Sequence, residues 1–441
     1  MSRTHKRLPD QAITATIESL THEGKGVSHI DDKVVFIDGA LPGEEVMFRY
    51  TKRQRRYDEG RVDQVLRASA DRVEPKCSHY GLCGGCSLMH MDPAAQIKAK
   101  QQMLLDDLRH LGKVEPEQIL EPLTGPRWGY RRKARLGVKY VAKKGKVLVG
   151  FREKGAPYLA DLSRCEVLHP EVGYRLEALS DVIGQLQAKD QIAQIEVAIS
   201  DELTALVFRN LVALSDGDQD KLRSYASANH IHLYLQPKGP DSIFLLWPEH
   251  SRLVYALPEY DLHLEFRPTD FTQVNMDINR RMIPRALQLL EPQPEDVVLD
   301  LFCGLGNFSL PLARQVSKVI GVEGEAGLVQ RAQDNATRNA ITNAEFHVAN
   351  LAGDVSVYPW LRQHYDKILL DPPRTGALEV LPQLARFAPE RMVYVSCNPA
   401  TLARDAGELA HKYGYRLASA GVMDMFPHTA HVESIALFIR K

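Results

Sequence analysis

The sequence predicts a multidomain protein. We expect an OB-type β-barrel over residues 1–70, an α+β domain over 71–263, and a doubly wound, Rossmann-like α/β domain over 264–441. The chain of 441 residues is too long for one hydrophobic core. Short segments of alternating hydrophobicity fill the N-terminal part, whereas apolar strands alternate with helical patterns from about Leu264 onward.

Composition and charge exclude several classes of protein. Hydrophobic residues make up 44% and charged residues 25% of the chain, as in ordinary globular proteins. The net charge of −1 predicts no general affinity for nucleic acid, so basic residues must be considered locally. Without a long apolar run, we expect neither a membrane protein nor a secretory signal. Six cysteines then indicate metal binding or catalysis in the reducing cytoplasm.

The N-terminal segment contains five predicted strands separated by glycine and proline turns. They span 13–19, 26–30, 34–37, 45–50 and 58–66. This number of strands suits a small closed OB-type barrel, whose face commonly binds oligonucleotides. Basic residues interleaved with Tyr50 and Tyr57 could neutralise phosphates and stack on bases. A solvated hairpin face stays possible, because Asp58 and Glu59 interrupt the run. The basic residues are Arg49, Lys52, Arg53, Arg55, Arg56 and Arg61.

A glycine-rich segment next contains three closely spaced cysteines. Five residues separate Cys77 from Cys83, and two separate Cys83 from Cys86. Such thiols indicate a soft metal or an iron–sulfur cluster. Cys165 is the better candidate for a fourth ligand, and His79 is the local alternative. Spacing alone leaves structural zinc and a [4Fe–4S] cluster both open.

The middle of the chain shows secondary structure without recognisable chemistry. A helical pattern covers 93–110, and alternating strands over 128–158 carry a second basic run. A helix near 171–187 and strands near 193–209 and 231–247 complete the α+β domain. The second basic run comprises Arg131, Arg132, Lys133, Arg135, Lys139, Lys143, Lys144 and Lys146.

The C-terminal domain places polar residues where its predicted strands end, which is where open α/β sheets bind ligands. Gly304 and Gly306 follow the first strand and let the backbone approach a ligand closely. Glu323 ends the second strand and suits ribose hydroxyls, while Asn350 follows the third and suits an adenine edge. The loop lacks the third glycine of the dinucleotide fingerprint and no phosphate-binding lysine follows. Adenosine without pyrophosphate therefore fits best, which indicates S-adenosylmethionine.

The fourth and fifth strands, 367–370 and 393–395, end in Asp371 and Cys397. Two prolines stiffen the turn after Asp371. A helix over 400–409 is predicted to follow Cys397, and the positive end of its dipole is expected to lower the pKa of the thiol. Both a nucleophile and a small buried core thiol are compatible with this position.

Taken together, these residues make the chain resemble the RNA uracil-5-methyltransferases over essentially its whole length. Ser-Cys-Asn-Pro at 396–399 resembles the nucleophile motif of that family, and His-Val-Glu at 431–433 matches its general-base segment. Asp-Pro-Pro-Arg at 371–374 and Phe-Thr-Gln-Val-Asn at 271–275 also look like family signatures. The barrel resembles the TRAM domain. With the cysteine spacing, it is similar to the branch that modifies 23S rRNA at uracil 1939.

The resemblance implies methyl transfer from S-adenosylmethionine to uracil C5, with Cys397 adding to C6 and Glu433 removing the C5 proton. Asp371 and Gln273 are expected to hydrogen-bond the uracil edge or the cofactor, and Phe271 to stack. The resemblance implies no membrane and no protein partner, and we expect a monomer. The implied cofactor contacts are Gln273, Phe302, Asn307, Glu323, Asn350 and Asp371. The implied ligands of a [4Fe–4S] cluster are Cys77, Cys83, Cys86 and Cys165.

Three alternatives stay open. The same chemistry on the T-loop uracil of tRNA is disfavoured by the barrel and the cysteines, which tRNA enzymes of this family usually lack. A radical iron–sulfur enzyme would carry C-x3-C-x2-C rather than the C-x5-C-x2-C found here. An RNA-binding protein with a decayed methyltransferase domain is disfavoured by the intact Cys397 and Glu433.

Overall fold

The computed structural model describes residues 11–353 and 358–441. The chain divides into two compact units. The first comprises Met1–Met103, Arg152–Pro157 and Phe426–His431, and the second comprises Leu104–Phe151, Tyr158–Met425 and Val432–Lys441. The three-domain division of the sequence stays a prediction. Within the described chain, every helix is too short or too polar to span a bilayer.

A six-stranded sheet in the order β1-β5-β6-β4-β3-β2 forms the N-terminal part of the first unit. Its strands are β1 (Ile13–Thr16), β2 (Ser19–Leu20), β3 (Gly26–Ile30), β4 (Lys33–Asp38), β5 (Glu45–Arg53) and β6 (Tyr57–Arg67). Alternate side chains pack into one apolar core that includes Val35, Ile37 and Phe48. The predicted single strand over 13–19 was wrong, because β1 pairs with β5 whereas β2 pairs with β3.

The segment after the sheet contains α1 (Pro93–Asp107), as predicted, followed by a π-helical turn at Leu108–Gly112. A short strand, β7 (Gln118–Ile119), comes next. Gly112 packs against the helix that follows Cys397, α9 (Pro399–Lys412): a Cβ at Gly112 would lie 2.4 Å from the Ala403 carbonyl. Only glycine therefore fits this position without displacing backbone.

The central part of the second unit is a six-stranded sheet in the order β13-β12-β11-β10-β8-β9, together with three helices and a hairpin. The strands are β8 (Lys133–Val141), β9 (Lys146–Gly150), β10 (Ile192–Ile199), β11 (Thr204–Asn210), β12 (Ile231–Leu235) and β13 (Phe244–Trp247). The helices are α2 (Pro170–Gly173), α3 (Leu176–Gly184) and α4 (Asp216–Ala228), and the hairpin is β14 (Leu253–Leu257) with β15 (Leu262–Phe266). The helix predicted near 171–187 is divided, because Tyr174 and Arg175 leave the helical path between α2 and α3.

The C-terminal sheet has eight strands in the order β18-β17-β16-β19-β20-β22-β21-β7. Its strands are β16 (Val297–Leu301), β17 (Lys318–Glu323), β18 (Ala344–Val348), β19 (Lys367–Leu370), β20 (Arg391–Ser396), β21 (Tyr415–Met423) and β22 (Glu433–Arg440). Its helices are α5 (Met276–Leu290), α6 (Ser309–Ala313), α7 (Ala326–Arg338), α8 (Leu381–Phe387) and α9 (Pro399–Lys412). Strands β16 to β20 are parallel, which confirms the predicted doubly wound sheet and brings their carboxyl ends to one edge.

Candidate active site

The strand register places Cys397 beside Glu433. Strands β20 and β22 are antiparallel, and their ladder reaches the pair Ser396 and Ser434. Continued by one residue, the same register sets Cys397 opposite Glu433. Two residues that are 36 positions apart in sequence therefore face each other where β20 ends.

The electrostatic environment of Cys397 differs from the one expected. Burial raises the pKa of its thiol to about 11, and the charges of Glu433 and Asp371 add to this effect, whereas Arg374 opposes it. The prediction that the helix dipole lowers this pKa was wrong, because desolvation and two carboxylates outweigh the helix end. In the structure without ligands, Cys397 is a protonated thiol at neutral pH.

The start of α9 fixes the turn that contains Asp371. Pro399 occupies the first helical turn, and the side-chain oxygen of Asn398 accepts from the Ala400 amide at 3.1 Å. The Asn398 amide group donates to the Arg374 carbonyl at 3.1 Å, and the Thr401 hydroxyl donates to the same carbonyl at 3.2 Å. One helix end thus holds both Cys397 and the Asp-Pro-Pro-Arg turn.

The glycine loop after β16 begins with a strained residue. Phe302 has a φ of +64°, a left-handed conformation that costs a non-glycine residue roughly 1–2 kcal/mol. Its amide donates to the Val322 carbonyl at 2.8 Å, and the Cys303 amide donates to the same carbonyl at 3.1 Å. These bonds turn the loop over the end of β17, toward Glu323.

Glu323 is oriented by three backbone amides. Its Oε1 accepts from Gly324 at 2.7 Å and from Glu325 at 3.0 Å, and its Oε2 accepts from Gly304 at 3.2 Å. The carboxylate therefore spans the glycine loop and the start of α7. This is the position that the sequence predicts for a group that binds ribose hydroxyls.

Asn307 is held by two residues that the sequence analysis missed. Its Oδ1 accepts from the Tyr255 hydroxyl at 2.9 Å and from Asn279 Nδ2 at 3.0 Å. Its Nδ2 donates to Asn279 Oδ1 at 2.9 Å. This exchange fixes the plane of the Asn307 amide. The polar Asn279 in the buried face of α5 was the available signal.

Two carboxyl groups lie on neighbouring strands at this edge. Asp300 is inside β16, and Asp371 directly follows β19. The pKa of each rises to about 7, mainly through burial; for Asp300 this value includes a Ser309 hydrogen bond that lowers the pKa and the Asp371 and Glu323 charges that raise it. Asp300 Oδ2 accepts from the Ser309 hydroxyl, and Oδ1 is buried without a hydrogen-bond partner among the described residues. Asp300 was not among the predicted site residues, although a carboxylate within an apolar strand was the available signal.

The other predicted contacts lie on loops. Asn350 is exposed after β18, and its Oδ1 accepts from the Ala352 amide at 3.1 Å. Gln273 is half-buried in the loop between β15 and α5, and Phe271 in the same loop is 68% exposed. Both loops belong to the second unit, which also contains Cys397 and Glu433.

The basic residues of the β5–β6 hairpin are largely engaged in ion pairs. Arg49 pairs with Asp63 and Arg53 with Asp58, and Lys52 lies 3.7 Å from Glu59. Tyr50 belongs to the barrel core and Tyr57 packs against Phe36. The expectation that Tyr50 stacks on a base was wrong, because the ring is buried. Arg55 and Arg56 are exposed at the turn.

Half of the residues of the second basic run are paired with carboxylates. Arg132 pairs with Asp201 at 2.8 Å and Arg135 with Glu196 at 2.9 Å. Lys144 and Lys146 share Asp161 at 2.8 and 3.1 Å. These residues stabilise the central sheet rather than form a bare cationic surface.

The four cysteines of the predicted cluster are half-buried thiols. Cys83 Sγ accepts from the Gly85 amide at 3.4 Å, and Cys165 Sγ accepts from the Leu168 amide at 3.5 Å. Backbone N–H groups directed at sulfur are typical of cluster ligands. Over residues 11–353 and 358–441, however, no three His, Cys, Asp or Glu side chains are grouped closely enough to hold a metal ion. The cluster and its ligands stay a prediction.

The sheet edge defines a class of protein. A glycine loop, a carboxylate after the second strand, and buried carboxyls beside a cysteine are typical of a doubly wound transferase that binds a nucleoside cofactor. The sequence comparisons agree with this class. The family model for tRNA (uracil-5-)-methyltransferase matches residues 200–357 and 359–441, and the model for the TRAM domain matches residues 6–62.

Whole-chain relatives narrow the class to one family. Proteins from Alkalilimnicola ehrlichii and Nitrosococcus oceani, both named 23S rRNA (uracil(1939)-C(5))-methyltransferase RlmD, are 52% and 54% identical to this chain. The alignments cover 100% and 98% of this chain and 99% and 97% of the relatives. The chain therefore belongs to the RNA (uracil-5)-methyltransferase family, which confirms the resemblance found in its motifs.

A solved structure agrees with the fold. The Pyrococcus abyssi tRNA (uracil-54, C5)-methyltransferase in complex with S-adenosyl-L-homocysteine matches with a TM-score of 0.75 at 24% identity. The match covers 97% of this chain and 100% of that chain. At this identity the likeness establishes the fold alone.

Proposed function

We propose that this enzyme transfers a methyl group from S-adenosylmethionine to C5 of uracil 1939 in 23S rRNA. The observation that carries the proposal is the opposition of Cys397 and Glu433 at the end of the β20–β22 ladder. The names of the relatives support the substrate, and the TRAM match supports contact with RNA. The Pyrococcus abyssi relative acts on tRNA according to its name, so tRNA is the second candidate substrate.

Uracil C5 is a poor nucleophile, which explains the need for a thiol. When Cys397 Sγ bonds to C6 as a thiolate, the C5–C6 electron pair moves into the ring as an enolate. C5 then attacks the methyl group, and S-adenosylhomocysteine leaves. The positive charge of the sulfonium favours thiolate formation, because it opposes the carboxylates that keep Cys397 protonated.

Glu433 completes the reaction as a general base. After methylation C5 carries both a proton and a methyl group, and Glu433 removes the proton. The electron pair of that bond re-forms the C5–C6 double bond and expels the Cys397 thiolate. Glu433 begins the strand that pairs with the one preceding Cys397, and this neighbouring position supports the role of base.

The cofactor is proposed to contact Gln273, Phe302, Asn307, Glu323, Asn350 and Asp371. Glu323 and Asn307 support this role most directly, because hydrogen bonds fix each side chain beside the glycine loop. A uracil stacked within a helix cannot reach Cys397, so the target must lie in a loop or be flipped out.

The [4Fe–4S] cluster is proposed to be held by Cys77, Cys83, Cys86 and Cys165. The soft donor set and the amides that donate to Cys83 and Cys165 support it. The transfer has no redox step, so we assign these cysteines to structural support or RNA contact. Anaerobically purified protein should be brown; a colourless, zinc-loaded preparation would contradict the cluster.

Trapping the covalent adduct tests the proposal. The protein and S-adenosylmethionine are mixed with 5-fluorouracil-substituted RNA, using a 23S rRNA fragment that contains position 1939 and, in parallel, a tRNA. Fluorine at C5 cannot leave as a proton, so the RNA should stay attached through Cys397. We expect a protein–RNA band that survives denaturation with the 23S fragment only.

Two controls test the identity of the nucleophile separately from the identity of the RNA substrate. The Cys397→Ala variant should give no band, and unsubstituted RNA should give methylated product without accumulation of adduct. A band with tRNA only would retain the mechanism and overturn the 23S rRNA substrate. A band of equal intensity with Cys397→Ala would overturn the nucleophile.

A further inference from the structure

The loop at residues 267–275, hereafter the substrate loop, connects β15 to α5 and carries Phe271 and Gln273. Phe271 is 68% exposed, so the loop presents an aromatic ring to solvent. One exposed apolar side chain is common on a protein surface, so its exposure alone assigns no role; Phe271 lies, however, two residues before Gln273, which is proposed to contact the cofactor. The position of this loop therefore matters for any nucleotide that approaches Cys397.

Buried charges hold the first half of the substrate loop. Asp270 is 6% exposed, and its Oδ2 accepts from the Arg267 amide at 2.7 Å. The same oxygen forms an ion pair with Arg331, whose side chain is 12% exposed on α7. The Lys133 amine, which is also buried, donates to the Pro268 carbonyl.

The second half of the substrate loop is held by backbone contacts. The Arg132 amide donates to the Val274 carbonyl at 2.9 Å. The Asn275 side chain caps α5 and accepts from the Ile278 amide at 3.3 Å. The tip with Phe271 and Gln273 thus lies between fixed points, and the Asp270–Arg331 pair is the side-chain link nearest to it.

Arg331 also connects this loop to the cofactor side of the sheet. Its guanidinium lies 3.7 Å from Glu325 Oε1, and the Glu325 amide donates to Glu323 Oε1 at 3.0 Å. Helix α7 begins directly after this turn. One arginine therefore joins the turn that orients Glu323 to the loop that carries Phe271.

We propose that Arg331 and Asp270 are positioning residues that couple cofactor binding to RNA binding, by linking the Glu323–Glu325 turn to the substrate loop. This inference rests on the proposed function. A ligand that fixes Glu323 restrains the Glu325 turn and Arg331, and Arg331 restrains Asp270 and the loop tip. Coupling must be reciprocal, so RNA bound to the loop strengthens cofactor binding by the same factor.

The energetics of buried ion pairs support a role other than stability. Replacing both partners of such a pair by neutral groups often costs little, whereas removal of one partner leaves a buried charge unpaired. The double variant Asp270→Asn/Arg331→Met should therefore fold better than Arg331→Met alone. It should nevertheless lose the coupling, since neither side chain can hold the other.

Fluorescence anisotropy of a 23S rRNA fragment containing position 1939, with and without saturating S-adenosylhomocysteine, measures the coupling. For the natural protein we expect the cofactor product to lower the RNA Kd by about fivefold or more, the lower end of typical coupling. For Asp270→Asn/Arg331→Met we expect the two Kd values to agree within about twofold. Arg338→Gln, on the same helix and paired with Glu265 at 3.6 Å, serves as the matched control and should keep the coupling.

The outcomes distinguish this inference from the proposed function. If the natural protein methylates the fragment but its RNA Kd does not respond to S-adenosylhomocysteine, the coupling is overturned and the function stands. Full coupling in the double variant would also overturn it. If the natural protein does not methylate the fragment, the proposed substrate fails whatever the binding data show.

Discussion

The carboxyl end of the parallel sheet and the β5–β6 hairpin both concentrate charged residues, but in opposite ways. At the sheet edge Asp300 is buried and Asp371 beside it is half-buried, and their pKa values rise to about 7. In the hairpin Asp58 is also buried, but it forms ion pairs with Lys33 at 2.6 Å and with Arg53 at 3.2 Å. Although burial raises it, these cations keep the pKa of Asp58 below its ordinary value.

The difference shows how a ligand site is distinguished from structural polarity. A buried carboxylate that is paired with a cationic side chain stabilises the fold and needs no ligand to balance its charge. Buried carboxyls that repel each other carry a cost that a cationic ligand removes. S-adenosylmethionine carries a sulfonium and an ammonium, so it is complementary to the sheet edge.

The largest expected effect concerns Glu433, whose removal tests the base at the sheet edge. Glu433→Gln should lower turnover by at least about 10³-fold, within the range for loss of a general base. Methyl transfer should still occur, so the methylated RNA should accumulate as a covalent adduct. Denaturing gels and single-turnover release of product measure both quantities.

A surface carboxylate provides the control for that experiment. Glu408→Gln removes an exposed i,i+4 pair with Lys412 on α9 and should leave turnover unchanged within about twofold. Normal product release from Glu433→Gln would remove Glu433 from the role of base.

A second effect concerns the reactivity of Cys397 in the absence of ligands. Because burial and the Glu433 and Asp371 charges raise its pKa to about 11, little thiolate exists at pH 8. Alkylation of Cys397 by iodoacetamide should be about a hundredfold slower in the folded protein than in the urea-unfolded chain. The folded rate should rise about tenfold per pH unit up to about pH 11.

Peptide mass spectrometry resolves Cys397 from the other five cysteines. The Glu433→Gln variant should react faster at pH 8, because one negative charge near the thiol is gone. Rapid alkylation of the natural protein at pH 7 would show that the thiol is not protonated and would contradict this electrostatic account.

A third effect concerns the pH dependence of cofactor binding. Asp300 and Asp371 have folded-state pKa values above those of the unfolded chain, so their contribution to stability is present below about pH 4 and is lost as the pH rises through about 7. A cationic cofactor favours the charged carboxylates. Its Kd should therefore fall by up to about tenfold between pH 6 and pH 8.

Isothermal titration with S-adenosylmethionine and with S-adenosylhomocysteine measures this dependence. S-adenosylhomocysteine lacks the sulfonium charge, so its Kd should change less over the same pH range. Asp300→Asn retains the shape of the side chain that contacts Ser309 but removes the titrating carboxyl, so the Kd of S-adenosylmethionine should depend less on pH. Equal slopes for the two ligands in the natural protein would contradict the role of charge.

The sequence predicted the sheet edge well because parallel strands bring their ends together whatever lies between them. Glu323, Asp371 and Cys397 each follow a short apolar run, so local pattern and topology suffice to place them. The pairing of Cys397 with Glu433 needs the antiparallel β22, which pattern alone did not place; the family resemblance supplied that residue.

Properties that depend on neighbours distant in sequence could not be predicted. The pKa of Cys397 reflects first its burial and then the charges at the ends of β19 and β22, rather than its own helix. Tyr50 looked available for stacking because alternation does not show which face of a strand is buried when polar and apolar residues are mixed. Likewise, the anions that pair with the basic runs come from partner strands whose register was unknown, such as Asp58 and Glu196, or from distant loops, such as Asp161.

The smallest expected effect separates the two kinds of arginine in the hairpin. Arg53 pairs with buried Asp58 and lies over the Tyr50 ring at 5.0 Å, whereas Arg55 is exposed at the turn. Arg53→Gln should lower the free energy of unfolding by at most about 1 kcal/mol, the range for a partly exposed pair. Arg55→Gln should leave stability unchanged but weaken RNA binding about twofold and reduce its salt dependence, since one phosphate contact is lost.

Urea denaturation and RNA binding at two salt concentrations distinguish these variants. If Arg53→Gln weakened RNA binding as much as Arg55→Gln without a change in stability, the paired cations would themselves contact RNA. The hairpin would then resemble the sheet edge, because its charged residues would bind a ligand. If only Arg55→Gln weakens RNA binding, the ion-paired arginine stabilises the fold, and only the exposed turn makes electrostatic contact with RNA.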